Sequence, residues 1–175
     1  MQTKQETLIG SCAAQRGVAM LLMADLLAHH ARNGRVDWIG LRPGRRAEVV
    51  AETQVQVAFS GLEGDRARAG KRAVTLIQAE HLPVIAGLLG VDRVTPETLR
   101  RNLVISGINL GALKGREIAI GAAVLRVSVI CAPCSRMEEV FGHGGYNAVR
   151  GHGGWCAEVV TPGLVATGDM VRVVD

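Results

Sequence analysis

The stretch VLRVSVICAPCSRM, Val124 to Met137, joins two local patterns. Val124 to Val129 alternates with period two, the signature of a half-buried strand. The chain then enters CAPC, where Cys131 and Cys134 straddle Pro133, and Ser135 offers a cap for a short helix running to Phe141. Strand, paired cysteines and helix together admit four readings: a disulfide, half of a zinc site, a thioredoxin-like redox pair, or one working thiolate with a neighbour. The flanking sequence bears on each.

Working outward, Gln54 to Phe59 alternates with Val55, Val57 and Phe59 on one face. Val36 to Leu41, Ala73 to Ile77, Asn102 to Ser106, Trp155 to Val160 and Met170 to Val174 read as further short strands. Helical patterns lie between them. Val18, Leu22 and Leu26 mark a helix from Val18 to about Ala31, stopped by Asn33-Gly34. Gln78 to Leu89 forms another, with Pro83 in an early turn. Thr95 and Pro96 supply an N-cap and first helical residue for a third. Strands outnumber helices and do not alternate with them strictly. The expectation is a mainly β fold, a closed or nearly closed β-barrel with a few peripheral helices, in which closure removes exposed strand edges.

The chain has 175 residues, and 48% are apolar but only 3% aromatic, so the core must be built from Val, Leu, Ile and Ala. That length predicts one domain. The formal charge is +4. Arginines gather in discrete loops, at Arg42, Arg45 and Arg46, at Arg66, Arg68 and Arg72, and at Arg100 and Arg101. Without a long basic stripe or interleaved aromatics, these clusters fit a small anionic ligand better than nucleic acid. No apolar run reaches about 18 residues, so no membrane span is expected. VAMLLMADLLA is interrupted by Asp25 and has no small-residue cleavage site after it, so no secretory signal is expected. The expectation is a cytoplasmic protein with its four cysteines as thiols.

Against zinc, the next ligand candidate after Cys134 is His143, and no second paired motif follows. Against a thioredoxin-like pair, the βαβ surroundings are missing. A single thiolate remains well placed: Cys134 stands at a helix N-terminus, where free N–H groups and Arg136 favour negative charge. Two core cysteines stay open as an alternative. In GLEGDR, Gly61 and Gly64 permit an anion-binding turn, with Arg66, Lys71 and Arg72 around it. GHGGYNAVRGHGG, Gly142 to Gly154, reads as a mobile glycine-rich loop able to bring His143 or His152 over a bound ligand.

GLEGDR, KRAVTLIQAEHL, RRNLVISGINL, LKGREIAIG, CAPCSRMEEVFG, GHGGWCAEVV and GDMVRV occur in this order. That series resembles the MOSC domain, named for the C-terminal region of molybdenum cofactor sulfurases. The resemblance spans residues 36 to 173, leaving an N-terminal helical extension at about 16 to 33. It implies a β-barrel and a pocket for the molybdenum cofactor, molybdopterin, a pterin with a phosphate tail. It implies that the chain reduces N-hydroxylated compounds or transfers sulfur through a reactive cysteine. The alternative is a non-catalytic cofactor or sulfur carrier serving a partner enzyme. The family's functional cysteine, which would also ligate molybdenum, maps to Cys134. Asn102 matches an asparagine at a strand start, and Asp65 a Gly-Asp turn. Asp65, Arg66, Arg72, Arg101, Asn102, Arg136 and His143 are the expected cofactor contacts. An external electron donor or a sulfur-delivering protein is the implied partner, and pyridoxal phosphate is not expected in this chain.

Overall fold

A computed structural model describes residues 22–174. The strands are β1 (Gly34–Leu41), β2 (Val50–Glu52), β3 (Gln54–Ala58), β4 (Gly61–Leu62), β5 (Val74–Gln78), β6 (Leu103–Ser106), β7 (Glu117–Ile120), β8 (Ala123–Ile130), β9 (Trp155–Thr161), β10 (Gly163–Ala166) and β11 (Met170–Val173). Seven of them close a ring in the order β11, β7, β8, β9, β5, β6, β1, and β1 pairs back to β11. Only β5 and β6 run parallel within it; the remaining neighbours are antiparallel. β2 extends the sheet beyond β1, while β10, β3 and β4 form a separate three-stranded sheet. The expected mainly β, closed barrel is the observed architecture.

Alternation explains the ring. In β8, Ala123, Leu125 and Val127 are buried and Arg126 is exposed. In β5, residues 74–77 are all buried because both faces are covered. Val74 and Leu76 join the barrel core with Leu103, Ile105, Leu125 and Val159. Ile77 and Val104 face outward into a second core with Ile85, Leu99, Met137 and Val149. Each fully buried Leu or Ile there contributes about 1.5–3 kcal/mol.

That second core is supplied by α2 (His81–Leu89), α3 (Pro96–Leu99), α4 (Arg136–Phe141) and α5 (Gly145–Val149). Thr95 caps α3 as expected, its Oγ1 accepting the Thr98 N–H at 3.5 Å. Arg100 ends α3 in the left-handed region at φ 55°, the one non-glycine residue with positive φ among the described residues. Its backbone N–H bonds to Glu97 O and that of Arg101 to Pro96 O. This turn sends the chain from α3 directly into β6.

Three expectations are corrected. Phe59 lies outside β3 and is 61% exposed, because the strand ends at Ala58. The first helix, α1 (Met23–Ala28), ends three residues early, and Asn33-Gly34 leads into β1 instead of stopping a helix; its expected start, Val18, lies outside the described residues. The Gly142–Gly154 segment is not a plain loop. It holds α5, with Gly145, Ala148 and Val149 buried. A Cβ on Gly145 would meet Met137 O at 2.4 Å, so α5 packs directly on the α4 backbone.

Candidate functional site

Four separate segments meet outside the barrel's β5–β6 edge: the β1–β2 loop, the β4–β5 loop, the end of α3 and the start of α4. They enclose a cavity of about 350 Å3 lined by Arg42, Arg45, Arg46, Arg66, Arg100, Arg101, Cys134, Ser135, Arg136 and Glu139, with Leu99 and Met137 beneath. Seven arginines face one carboxylate there. Mutual repulsion is evident at Arg100, whose guanidinium is depressed from its ordinary value by burial and by the charges of Arg136, Arg42 and Arg66. Such a concentration of guanidinium groups is a site for an anion with several acceptor oxygens.

A buried network underlies the cavity. Asp65 Oδ1 accepts from the Arg42 backbone N–H at 2.6 Å and from its Nε at 2.9 Å, while Oδ2 accepts from Nη2 at 2.7 Å. The Asp65 side chain is fully buried. Burial pushes its carboxyl up, but the hydrogen bonds and charge of Arg42 outweigh this and hold it below the usual carboxylate value. Asn102 is equally buried. Its Oδ1 accepts from Arg42 Nη2 at 2.8 Å and from Thr75 Oγ1 and N–H at 2.8 and 3.0 Å, and its Nδ2 donates to Gly40 O at 3.0 Å. Asp65 and Asn102 therefore spend their polar atoms on the protein and fix the position of Arg42.

The other predicted contacts divide. Arg66, Arg101, Cys134 and Arg136 line the cavity. Arg101 is 7% exposed and its Nε donates to Gly153 O at 2.7 Å, so this arginine also ties α3 to the turn before β9. Arg136 Nε is buried and has no hydrogen-bond partner. Arg72 is exposed and stands outside the cavity walls, although its charge reaches Cys131. His143 is fully exposed, with Nδ1 3.9 Å from Glu138 Oε1, and also lies outside the walls. His152 packs edge-on against His81, ring centroids 5.3 Å apart.

The two cysteines of CAPC differ. Cys134 is exposed on the cavity, and its carbonyl accepts the Met137 N–H at 2.9 Å in the first turn of α4. Cys131 does not line the cavity. Its N–H donates to Gly154 O at 2.9 Å, and a hydrogen bond from the buried Cys156 thiol favours its thiolate. That bond, opposed by burial and aided by the charges of Arg101, Arg42 and Arg72, lowers Cys131 to about 6. Cys156 is correspondingly pushed up by Cys131 and by burial. No group of three or more His, Cys, Asp or Glu side chains suited to a metal ion occurs among the described residues.

The sequence offers the clusters with Arg42, Arg45, Arg46 and Arg100 as anion-binding, but it does not single these four out as cofactor contacts or pair Cys131 with Cys156. The RPGRR cluster at Arg42 to Arg46 was visible in the sequence. Its proximity to Cys134 depends on the barrel bringing β1 beside β6. A larger cavity of about 490 Å3 lies between β1, α2 and α3, lined by Trp38, Leu82, Val94 and Val104, and contains none of the predicted site residues.

A family model described as the MOSC domain matches residues 29–172, beginning seven residues before the motif-based span. Among solved structures, the fold superposes on the YuaD protein from Bacillus subtilis with a TM-score of 0.71 at 20% identity, covering 81% of this chain and 96% of that one. YiiM from Escherichia coli gives 0.67 at 22% identity, covering 82% and 70%. YiiM from Geobacillus stearothermophilus gives 0.65 at 18% identity, covering 81% and 75%. At these identities the likeness is one of fold. The comparison with curated proteins gives no significant match.

Proposed function

Because the chain belongs to the MOSC domain family, we propose that its arginine-lined cavity binds the molybdenum cofactor. Arg100, Arg136 and their neighbours would hold the phosphate tail, and Cys134 would ligate the metal. The carrying observation is the cavity's composition: seven arginines, one carboxylate and one exposed thiol around one cavity. The buried Arg136 Nε without a partner fits a phosphate oxygen, which would satisfy it. A soft thiolate suits molybdenum.

When bound, the cofactor supplies two-electron chemistry suited to the N–O bond of an N-hydroxylated base, which takes up two electrons and two protons and leaves as amine and water. The protein's own residues bind and orient. Asp65 and Asn102 hold Arg42 against the cavity, so its guanidinium is pre-organised for an anion without ordering cost at binding. Arg101, buried and bonded to Gly153 O, fixes the turn leading to β9. Cys134 presents its sulfur from just before α4, whose position is set by Met137 in the second core. The chain works in the cytoplasm and draws electrons from an external donor protein.

The test is turnover. Protein loaded with molybdopterin and given a chemical electron donor should convert a benzamidoxime-type substrate to its amidine. The exposure of Cys134 favours a second reading, that of a carrier delivering cofactor or sulfur to a partner. Stoichiometric binding and release without amine formation would select it.

A further inference from the structure

Cys131 and Cys156 take no part in the binding described above, yet the β8–β9 pairing brings them close together. Cys131 directly follows β8, and its N–H bond to Gly154 O, together with the pairing of Ile130 with Trp155, sets it against the start of β9. Cys156 is the second residue of β9 and is 1% exposed. Cys131 thus stands across the strand pair from Gly154, two residues before Cys156. Cys131 is only partly buried. The β8–β9 register shifts between Val127 and Ile130, so the strand end carrying Cys131 is irregular and has room to adjust.

One partly buried cysteine, within reach of the charges of Arg101, Arg42 and Arg72, neighbours one buried cysteine across the β8–β9 pair. This is the arrangement of an attacking thiol with its resolving partner. We propose that Cys131 and Cys156 form a peroxide-reactive dithiol that closes to a reversible disulfide between β8 and β9. The Cys131 thiolate attacks one oxygen of a hydroperoxide. The O–O bond breaks, a sulfenic acid forms on Cys131, and hydroxide or alkoxide leaves with a proton from solvent. The Cys156 sulfur then displaces the sulfenic hydroxyl, its own proton leaving with that hydroxyl as water. Two thiols are oxidised and one hydroperoxide is reduced, with no metal required. A small thiol of the glutathione class reverses the step by exchange.

The neighbouring Cys134 is the competing partner by sequence, since C-x-x-C pairs are common redox motifs. The structure separates them by environment. Cys134 lines the arginine cavity, whereas Cys131 does not line it and is bonded through its N–H to Gly154 O, at the start of β9. The disulfide would thus take up oxidant while leaving Cys134 free.

The experiment uses the full chain without added metal, reduced, freed of reductant and exposed to a few equivalents of hydrogen peroxide. Trypsin cleavage after Arg126, Arg136, Arg150 and Arg172 leaves Cys131 and Cys134 together in 127–136 and places Cys156 in 151–172. The expected product is a disulfide joining these two peptides, formed equally in Cys134→Ser, absent in Cys131→Ser and reversed by dithiothreitol. Cys131→Ser should lose thiols at least about tenfold more slowly than wild type. In Cys156→Ser, Cys131 should accumulate as a dimedone-trapped sulfenic acid. If that variant does not fold, the wild-type and Cys134→Ser maps decide. A disulfide closed within 127–136, a bond to Cys12, or no peroxide-dependent thiol loss would overturn the proposal.

Discussion

Arg42 Nη2 lies 2.7 Å from Asp65 Oδ2 and 2.8 Å from Asn102 Oδ1, so two fully buried side chains from different loops hold one guanidinium at the cavity wall. Removing one partner of a buried ion pair costs about 3–5 kcal/mol. Arg42 keeps 14% exposure, which places this case at the lower end. Asp65→Ala is expected to lower unfolding free energy by about 3 kcal/mol. Urea denaturation of the two proteins checks it, and a change within error would show that the pair is not structural.

The same pair predicts an acid response. Arg42 holds the folded Asp65 carboxyl below its unfolded value, so the pair's contribution is complete above the unfolded value of about 3.9. It is lost as pH falls through the folded value. Urea midpoints measured from pH 6 down to pH 3 should fall more steeply for wild type than for Asp65→Asn, which lacks this titration. Parallel curves would remove Asp65 from the acid response.

Arg100 combines an unfavourable backbone conformation with a cavity charge. Its side chain also donates to Ala47 O and Gly44 O. Arg100→Gly relieves about 1 kcal/mol of left-handed backbone cost while losing those two contacts, one exposed and one part-buried. Stability is expected to change by less than about 1 kcal/mol. Affinity for a phosphorylated pterin should weaken by about 1.5–3 kcal/mol, the worth of a charge-assisted hydrogen bond. Arg72→Gln, outside the walls, should bind as wild type does. Calorimetric titration separates the two, and equal weakening in both variants would show that only net charge matters.

Much of the β structure was readable because period-two burial in barrel strand β8 and in β3 of the smaller sheet leaves its mark on the sequence. β7 and β10 were harder. Residues 117–120 and 163–166 are four-residue strands between glycines, too short to display a period. α5 was hidden by composition: a segment with six glycines in thirteen residues reads as loop. Two of those glycines are instead required by packing. A Cβ on Gly145 would strike Met137 O, and one on Gly154 would lie 2.0 Å from Leu76 O. In the site, the chemical character of the arginine loops and of Cys134 was legible. Their convergence depends on long-range pairing, such as β1 with β6, that local pattern does not encode. Asp65 and Asn102 illustrate the limit: their types were noticed, but only the fold shows that both face Arg42 and not the open cavity.

Metal and pterin content of the protein, after incubation with molybdopterin and molybdate and removal of unbound cofactor, tests the central proposal most directly. Wild type is expected to retain about one molybdenum and one pterin per chain, as for a single preformed site. Cys134→Ser should keep the pterin but lose most of the molybdenum, Arg136→Gln should lose both in proportion, and Cys131→Ser should match wild type. Retention of molybdenum by Cys134→Ser together with its loss from Cys131→Ser would move the ligand to Cys131. Wild type that retains neither metal nor pterin would contradict cofactor binding at this cavity altogether.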